Sequence, residues 1–322
     1  MRHAMRPATT MTPIALVNAA AGKKQTADPV AAAREALAAA GVEADVRPTA
    51  GADMESAARH ALDDGADLVI AGGGDGTIST VAGVVAGSGA TLGVLPMGTL
   101  NHFARDLHLP PKLEQAARLI ARGVAVARPV DVGEVNGRRF INNASIGLYP
   151  HIVSKRERQQ ERLGRGKWAA LVVAGVSIFR RYPMLKVVLD TGERAMIRTT
   201  PFVFVGNNTY EMNLLAPAGR ASVDRGELSL YFTRRTGRFG LLLIALRGLF
   251  GRLDQARDFE ALTLPAVQID TPKKTLRIAL DGEVTRMTPP LEFRVLPGAL
   301  RVIAPGPGSG EMADAQAPMT NQ

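Results

Sequence analysis

The sequence predicts an α/β N-terminal domain built on a parallel sheet, followed by a β-rich, antiparallel, sandwich-like domain. Three observations point there. Up to Pro110, short apolar runs alternate with Ala-rich helical stretches across Gly-rich turns, the pattern of a parallel sheet covered on both faces. After Pro129 the pattern changes to short alternating runs separated by turns, as in antiparallel sheets. At 322 residues and 46% hydrophobic composition the chain has material for two cores. The first half thus reads as a Rossmann-like sheet with ligand sites at the carboxyl ends of its strands.

Taken in order, residues 14–17 form a first strand, and a helix from about Pro29 to Ala40 stops at Gly41. A strand at 44–47 precedes a helix at 53–63. Residues 68–70 form the third strand, followed by Gly72-Gly-Gly-Asp-Gly-Thr77 and a helix to Val85. The fourth, 92–95, leads into Pro96-Met-Gly-Thr-Leu-Asn101. Beyond Arg128 the expected strands are 130–135, 138–141, 185–189, 199–205, 227–232, 261–269, 276–280, 291–295 and 300–303. Helices at 154–181 and 239–257 interrupt them. The expected organisation is a flexible segment 1–12, a first domain 13–128, a second domain 129–304 whose last strands have the option of returning to the first, and a disordered Gly/Pro-rich tail 305–322.

Composition narrows the chemistry. With no cysteine there is no disulfide framework, thiolate metal site or cysteine nucleophile, and a reducing cytoplasmic location is the expectation. No apolar run approaches the roughly 18 residues of a membrane span, and the stretch after the basic N-terminus is too short for a signal peptide. A net charge of +9 suits an anionic membrane surface, a polyphosphate or nucleic acid. Nucleic acid is disfavoured, because the Lys and Arg residues are dispersed and aromatics amount to 5%.

Glycines after a buried strand and before a helix let backbone N–H groups approach a phosphate at the helix N-terminus. Gly73, Gly74, Asp75, Gly76 and Thr77 have that context, and no Walker A Gly-Lys-Ser/Thr follows. The plainer alternative is a tight turn capped by Asp75. Gly98, Thr99 and Asn101 make a second turn at the same sheet edge, expected to grip a triphosphate from the other side and to aim Asn101 at ribose or base; the plainer alternative is an Asn helix cap. In Asp281-Gly-Glu283 the acids are two apart across a glycine. They suit either a hairpin turn or a catalytic pair, one carboxylate taking an acceptor proton while its neighbour holds metal or orients the first.

Together these residues resemble the diacylglycerol kinase catalytic-domain family, which includes bacterial lipid kinases and sphingosine and ceramide kinases and is more distantly similar to NAD kinases. The pieces run from Asn18–Gly22 through Gly73–Thr77, Pro96-x-Gly-Thr-x-Asn101 with Phe103-Ala-Arg105, Asp131-x-Gly, Asn142, Gly147, Gly206-Asn-Asn208 and Asp281-Gly-Glu283 to Pro297-Gly-Ala-Leu300. The resemblance implies a cleft where ATP and Mg2+ meet a lipid headgroup. It implies Asp281 as general base with Glu283 beside it, and Asn18, Gly73–Thr77, Gly98, Thr99 and Asn101 as the nucleotide cradle. Lys23, Asp131 and Lys167 would form a surrounding charge network. Where relatives have Asn-Pro-x-Ser-Gly, this chain has Asn18-Ala-Ala-Ala-Gly22. His102 stands where an Asp is usual, and Arg225-Gly226 replaces an Asp-Gly, leaving Asp224 as the candidate metal ligand.

The implied activity is transfer of the ATP γ-phosphoryl group to a lipid hydroxyl of diacylglycerol, phosphatidylglycerol or a sphingoid base. Two readings compete: a soluble NAD kinase-like enzyme, for which no clear Asn-Glu motif opens the second domain, and a non-catalytic nucleotide- or membrane-binding homologue. The basic, apolar segments around Lys155–Trp168 and Arg238–Arg252 pack either against the β domain or on the inner face of the membrane, as a peripheral contact with anionic lipid.

Overall fold

A computed structural model describes residues 12–21, 28–147, 184–210, 220, 222–233 and 259–306. The helices expected at 154–181 and 239–257, the N-terminal segment and nearly all of the tail lie outside them. The chain divides into two compact units, 1–129 with 300–322, and 130–299.

Unit 1 repeats strand and helix: β1 (Ile14–Asn18), α1 (Pro29–Ala39), β2 (Asp45–Thr49), α2 (Met54–Asp63), β3 (Leu68–Gly73), α3 (Asp75–Val85), β4 (Thr91–Pro96), α4 (His102–Asp106) and α5 (Leu113–Ile120). α1 starts where it should, since Asp28 accepts from the Val30 N–H at 2.9 Å and Pro29 has no N–H to leave unpaired. The order β2-β1-β3-β4 is parallel throughout. α1 packs on α5, and α2 on α3. β3 and β4 are buried along their whole length, as parallel strands covered on both faces must be. From β1 the chain goes first to one neighbour, β2, then to the other, β3. The carboxyl ends of β1 and β3 therefore flank the topological switch point where such sheets bind ligands.

Unit 2 consists of two sheets around one core. One contains β8 (Leu185–Asp190), β9 (Ala195–Thr200), β13 (Ala266–Asp270) and the first part of β16 (Leu291–Ile303), with β5 (Ala127–Val135) and β6 (Arg138–Phe140). The other runs β12 (Phe259–Leu264), β11 (Leu228–Thr233), β10 (Phe202–Asn207), β7 (Asn143–Gly147), β14 (Leu276–Leu280), β15 (Glu283–Met287), antiparallel throughout. Val187, Ile269 and Phe293 from the first share a core with Ile146, Val203, Leu230 and Ile278 from the second.

Four expected strands are redrawn by proline and glycine. The run 199–205 is two strands in different sheets, β9 and β10, divided at Pro201. The run 261–269 is likewise β12 and β13, divided at Pro265. A residue without an N–H ends one ladder, and the next strand joins the other sheet. Conversely, 291–295 and 300–303 are one strand: β16 passes through Pro297-Gly298, its start antiparallel to β13 and its end, Arg301 and Val302, parallel to β4. β7 and β15 were not expected.

Asp131 is 3% exposed, and its carboxylate accepts the N–H groups of Gly226 (2.6 Å) and Gly298 (2.9 Å). It ties β5 to the 223–226 turn and to the β16 kink. Asp131→Asn turns one acceptor into a donor facing an N–H and is expected to cost about 2–3 kcal/mol. Urea unfolding checks this as a lower midpoint at unchanged m.

Candidate functional site

In unit 1 the predicted cradle residues converge. Asn18, the last residue of β1, accepts from the Ala20 N–H through Oδ1 (2.9 Å) and donates through Nδ2 to Thr77 Oγ1 (3.0 Å) on the first turn of α3. The glycine turn is thereby fastened to the neighbouring strand end across the switch point. A Cβ on Gly73 would lie 2.6 Å from Thr77 Oγ1, and one on Gly98 would lie 2.7 Å from the Gly74 Cα. The two turns therefore touch backbone to backbone, a contact only glycine permits. No side chain among the described residues caps α3, so its first-turn N–H groups are available to an anion. Asp75 Oδ1 is buried and has no hydrogen-bond partner among the described residues. Asn18→Ala, removing one hydrogen bond of about 1 kcal/mol, is expected to weaken binding of a non-hydrolysable ATP analogue about fivefold by isothermal titration.

The Asn101 carboxamide is used differently from expectation. Its Oδ1 accepts from the Gly98 N–H and its Nδ2 donates to the Gly98 carbonyl, both at 3.0 Å. With φ 49 it is left-handed, a conformation asparagine tolerates. Asn101 thus locks the second turn instead of pointing at ribose or base, and Thr99 is exposed on it.

In unit 2, Asp281 and Gly282, with φ 47 and 92, form a two-residue hairpin turn between β14 and β15, which Leu280 and Glu283 close as a pair. The plainer reading of this motif is therefore its local geometry. The Asp281 side chain goes further: Oδ2 accepts from the Ile141 N–H (2.8 Å), and Oδ1 from those of Asn142 (2.8 Å) and Asn143 (2.9 Å). Glu283 is exposed at the start of β15. Asn207, fully buried, donates to the carbonyls of Asp131 (2.7 Å) and Ile141 (3.0 Å), so Asp131 and the Asp281 cluster belong to one network. Asp224 is exposed and bonds to Ser222 Oγ. No group of three or more His, Asp or Glu suited to a metal occurs among the described residues. Lys23 and Lys167 lie outside them.

Arg220 joins this network and carried no signal in the sequence. It is 9% exposed, and it donates to the Ile141 carbonyl at 2.6 Å. A lone arginine in an Ala/Gly-rich stretch has no motif to mark it.

The family model for the diacylglycerol kinase catalytic domain matches residues 13–135, covering β1 through β5. A Pseudomonas aeruginosa PAO1 protein named "Probable lipid kinase YegS-like" is 32% identical over 292 residues, 88% of this chain and 91% of that one. The chain belongs to the diacylglycerol kinase catalytic-domain family. It is also 29% identical to a Bacillus subtilis diacylglycerol kinase, over 83% of this chain and 87% of that protein. A crystal structure of a diacylglycerol kinase from Bacillus anthracis Sterne superposes with a TM-score of 0.64 at 22% identity, covering 91% of this chain and 97% of that one, which extends the likeness in fold to both units. The family is one of lipid kinases. No helix among the described residues is long and apolar enough to cross a membrane.

Proposed function

We propose that this protein transfers the γ-phosphoryl group of ATP, with Mg2+, to the hydroxyl of a glycerolipid or sphingoid acceptor. The observation that carries the reading is the buried Asp75 Oδ1, without a hydrogen-bond partner among the described residues, beside an α3 N-terminus that no described side chain caps. A buried carboxylate oxygen requires a donor or a cation, and a magnesium-bound triphosphate on the adjacent N–H groups brings the cation. The residues present therefore fit the nucleotide. Bound there, ATP and Mg2+ would supply the phosphoryl group and neutralise the charge that develops during transfer.

In this reading Gly73–Thr77 and Gly98–Asn101 bind the phosphates, with Asn18 and Asn101 keeping the two turns in register. Asp281 accepts the proton of the acceptor hydroxyl as its oxygen bonds to the γ-phosphorus and the bond to the ADP oxygen breaks, and Glu283 assists. Asp131 holds the fold around that carboxylate, and any metal contact falls to Asp75 ahead of exposed Asp224. A lipid acceptor suits a peripheral enzyme working at a membrane surface.

The deciding experiment is radiolabelled phosphate transfer from ATP with Mg2+ to diacylglycerol, phosphatidylglycerol, sphingosine, ceramide and NAD, with Asp281→Ala alongside. Label on a lipid, lost in the variant, is the expected result and identifies the acceptor. Label on NAD, or on none of the five, overturns the proposal.

A further inference from the structure

Within unit 2 the segment Ile141–Asn143 lies between an anion and a cation. Its three N–H groups all point at the Asp281 carboxylate, at 2.8 to 2.9 Å. The carbonyls of Ile141 and Asn142 point the other way, while that of Asn143 accepts the Asp281 N–H at 2.8 Å. Ile141 O accepts from Arg220 (2.6 Å) and from Asn207 Nδ2 (3.0 Å), Asn142 O accepts from the Asn207 N–H (2.9 Å), and Asn142 Oδ1 accepts from Arg220 (3.4 Å). The peptide joining 141 to 142 therefore has its C=O on the guanidinium and its N–H on the carboxylate. The next peptide has its C=O on Asn207 and its N–H on the same carboxylate. A peptide dipole between opposite charges strengthens both hydrogen bonds.

We propose that Arg220 is a positioning residue for the reaction: by holding the carbonyl side of 141–143 it fixes the N–H side that orients the Asp281 carboxylate. The inference rests on the role assigned to Asp281 above. It adds a residue that touches neither substrate nor nucleotide and acts through two peptide groups. A carboxylate displaced by about 1 Å costs about 100-fold in rate, so the signature of Arg220 is in kcat rather than in the KM for ATP.

The test compares wild type, Arg220→Ala and Arg220→Lys by steady-state kinetics on the lipid acceptor and by amide hydrogen exchange. In Arg220→Ala, kcat is expected to fall about 100-fold with the KM for ATP unchanged. The Ile141, Asn142 and Asn143 amides should lose protection, while Leu189 and Ile269 in the other sheet keep theirs. Guanidinium ion at low millimolar concentration, entering the vacated space, should restore part of kcat in Arg220→Ala and none in wild type. Arg220→Lys keeps a cation without the two-armed geometry; it should fall between the two, and it carries the test if the alanine variant does not fold. Unchanged kcat, a fall in kcat with 141–143 still protected, or loss of protection throughout the unit would each overturn the proposal. If wild type phosphorylates no lipid, the functional reading fails by itself, and the exchange data still decide whether Arg220 and Asp281 are coupled through 141–143.

Discussion

Gly98→Ala is expected to reduce nucleotide affinity about 100-fold while leaving the protein folded. The added Cβ would stand 2.7 Å from the Gly74 Cα and 2.7 Å from Asn101 Oδ1, both well inside contact distance. Neither neighbour can yield cheaply. Gly74 is backbone in the first glycine turn, and Asn101 is held by its two bonds to Gly98. The second turn must therefore move away from the first, at about 1–3 kcal/mol of overpacking, and the loss falls on the N–H groups proposed to bind phosphate. Gly51→Ala is the matched control, since its Cβ would meet only Asn18 Nδ2 at 3.7 Å. Titration with a non-hydrolysable ATP analogue reads the difference. Wild-type affinity in Gly98→Ala would mean that the contact between the turns has no part in binding.

The first domain was readable from the sequence because each of its elements is a local pattern. The apolar runs that become β3 and β4 are buried on both faces, and a continuous apolar run needs no knowledge of its neighbours to be recognised. The second domain is less local. Pro201 and Pro265 interrupt runs of acceptable strand character, and only the pairing shows that the chain leaves one sheet for the other there. β7, Asn-Ala-Ser-Ile-Gly, is short and polar at its ends, and its place in the sheet comes from its neighbours β10 and β14. The site divides in the same way. Gly73–Thr77 and Asp281-Gly-Glu283 are contiguous and therefore visible. The network behind Asp281 joins residues 141–143, 207 and 220, far apart in sequence; Asn142 and Asn207 stood in motif pieces, but nothing in the sequence joined them to Asp281 or marked Arg220. The use of a side chain was not legible either: Asn101 spends its carboxamide on its own turn, because a left-handed residue three positions after a glycine can close that ring.

Asp281 carries the other large effect, and its two roles predict different variants. Asp281→Ala leaves the N–H groups of Ile141, Asn142 and Asn143 without their acceptor. It is expected to abolish transfer and to cost about 3–5 kcal/mol of unit 2 stability, with ATP binding, proposed for unit 1, nearly intact. Asp281→Asn is the sharper probe. Its remaining oxygen can keep the Asn142 and Asn143 bonds, while its amide meets the Ile141 N–H donor to donor, a loss of about 1–3 kcal/mol. If Asp281 accepts the acceptor proton, the asparagine variant should be slower by about 100- to 10,000-fold, far more than its loss of stability explains. Denaturant midpoints and single-turnover transfer on the same preparations separate the two quantities. A variant that is destabilised yet transfers phosphate at the wild-type rate would make Asp281 an anchor alone. Proton acceptance would then pass to Asp75, whose buried Oδ1 has no hydrogen-bond partner among the described residues.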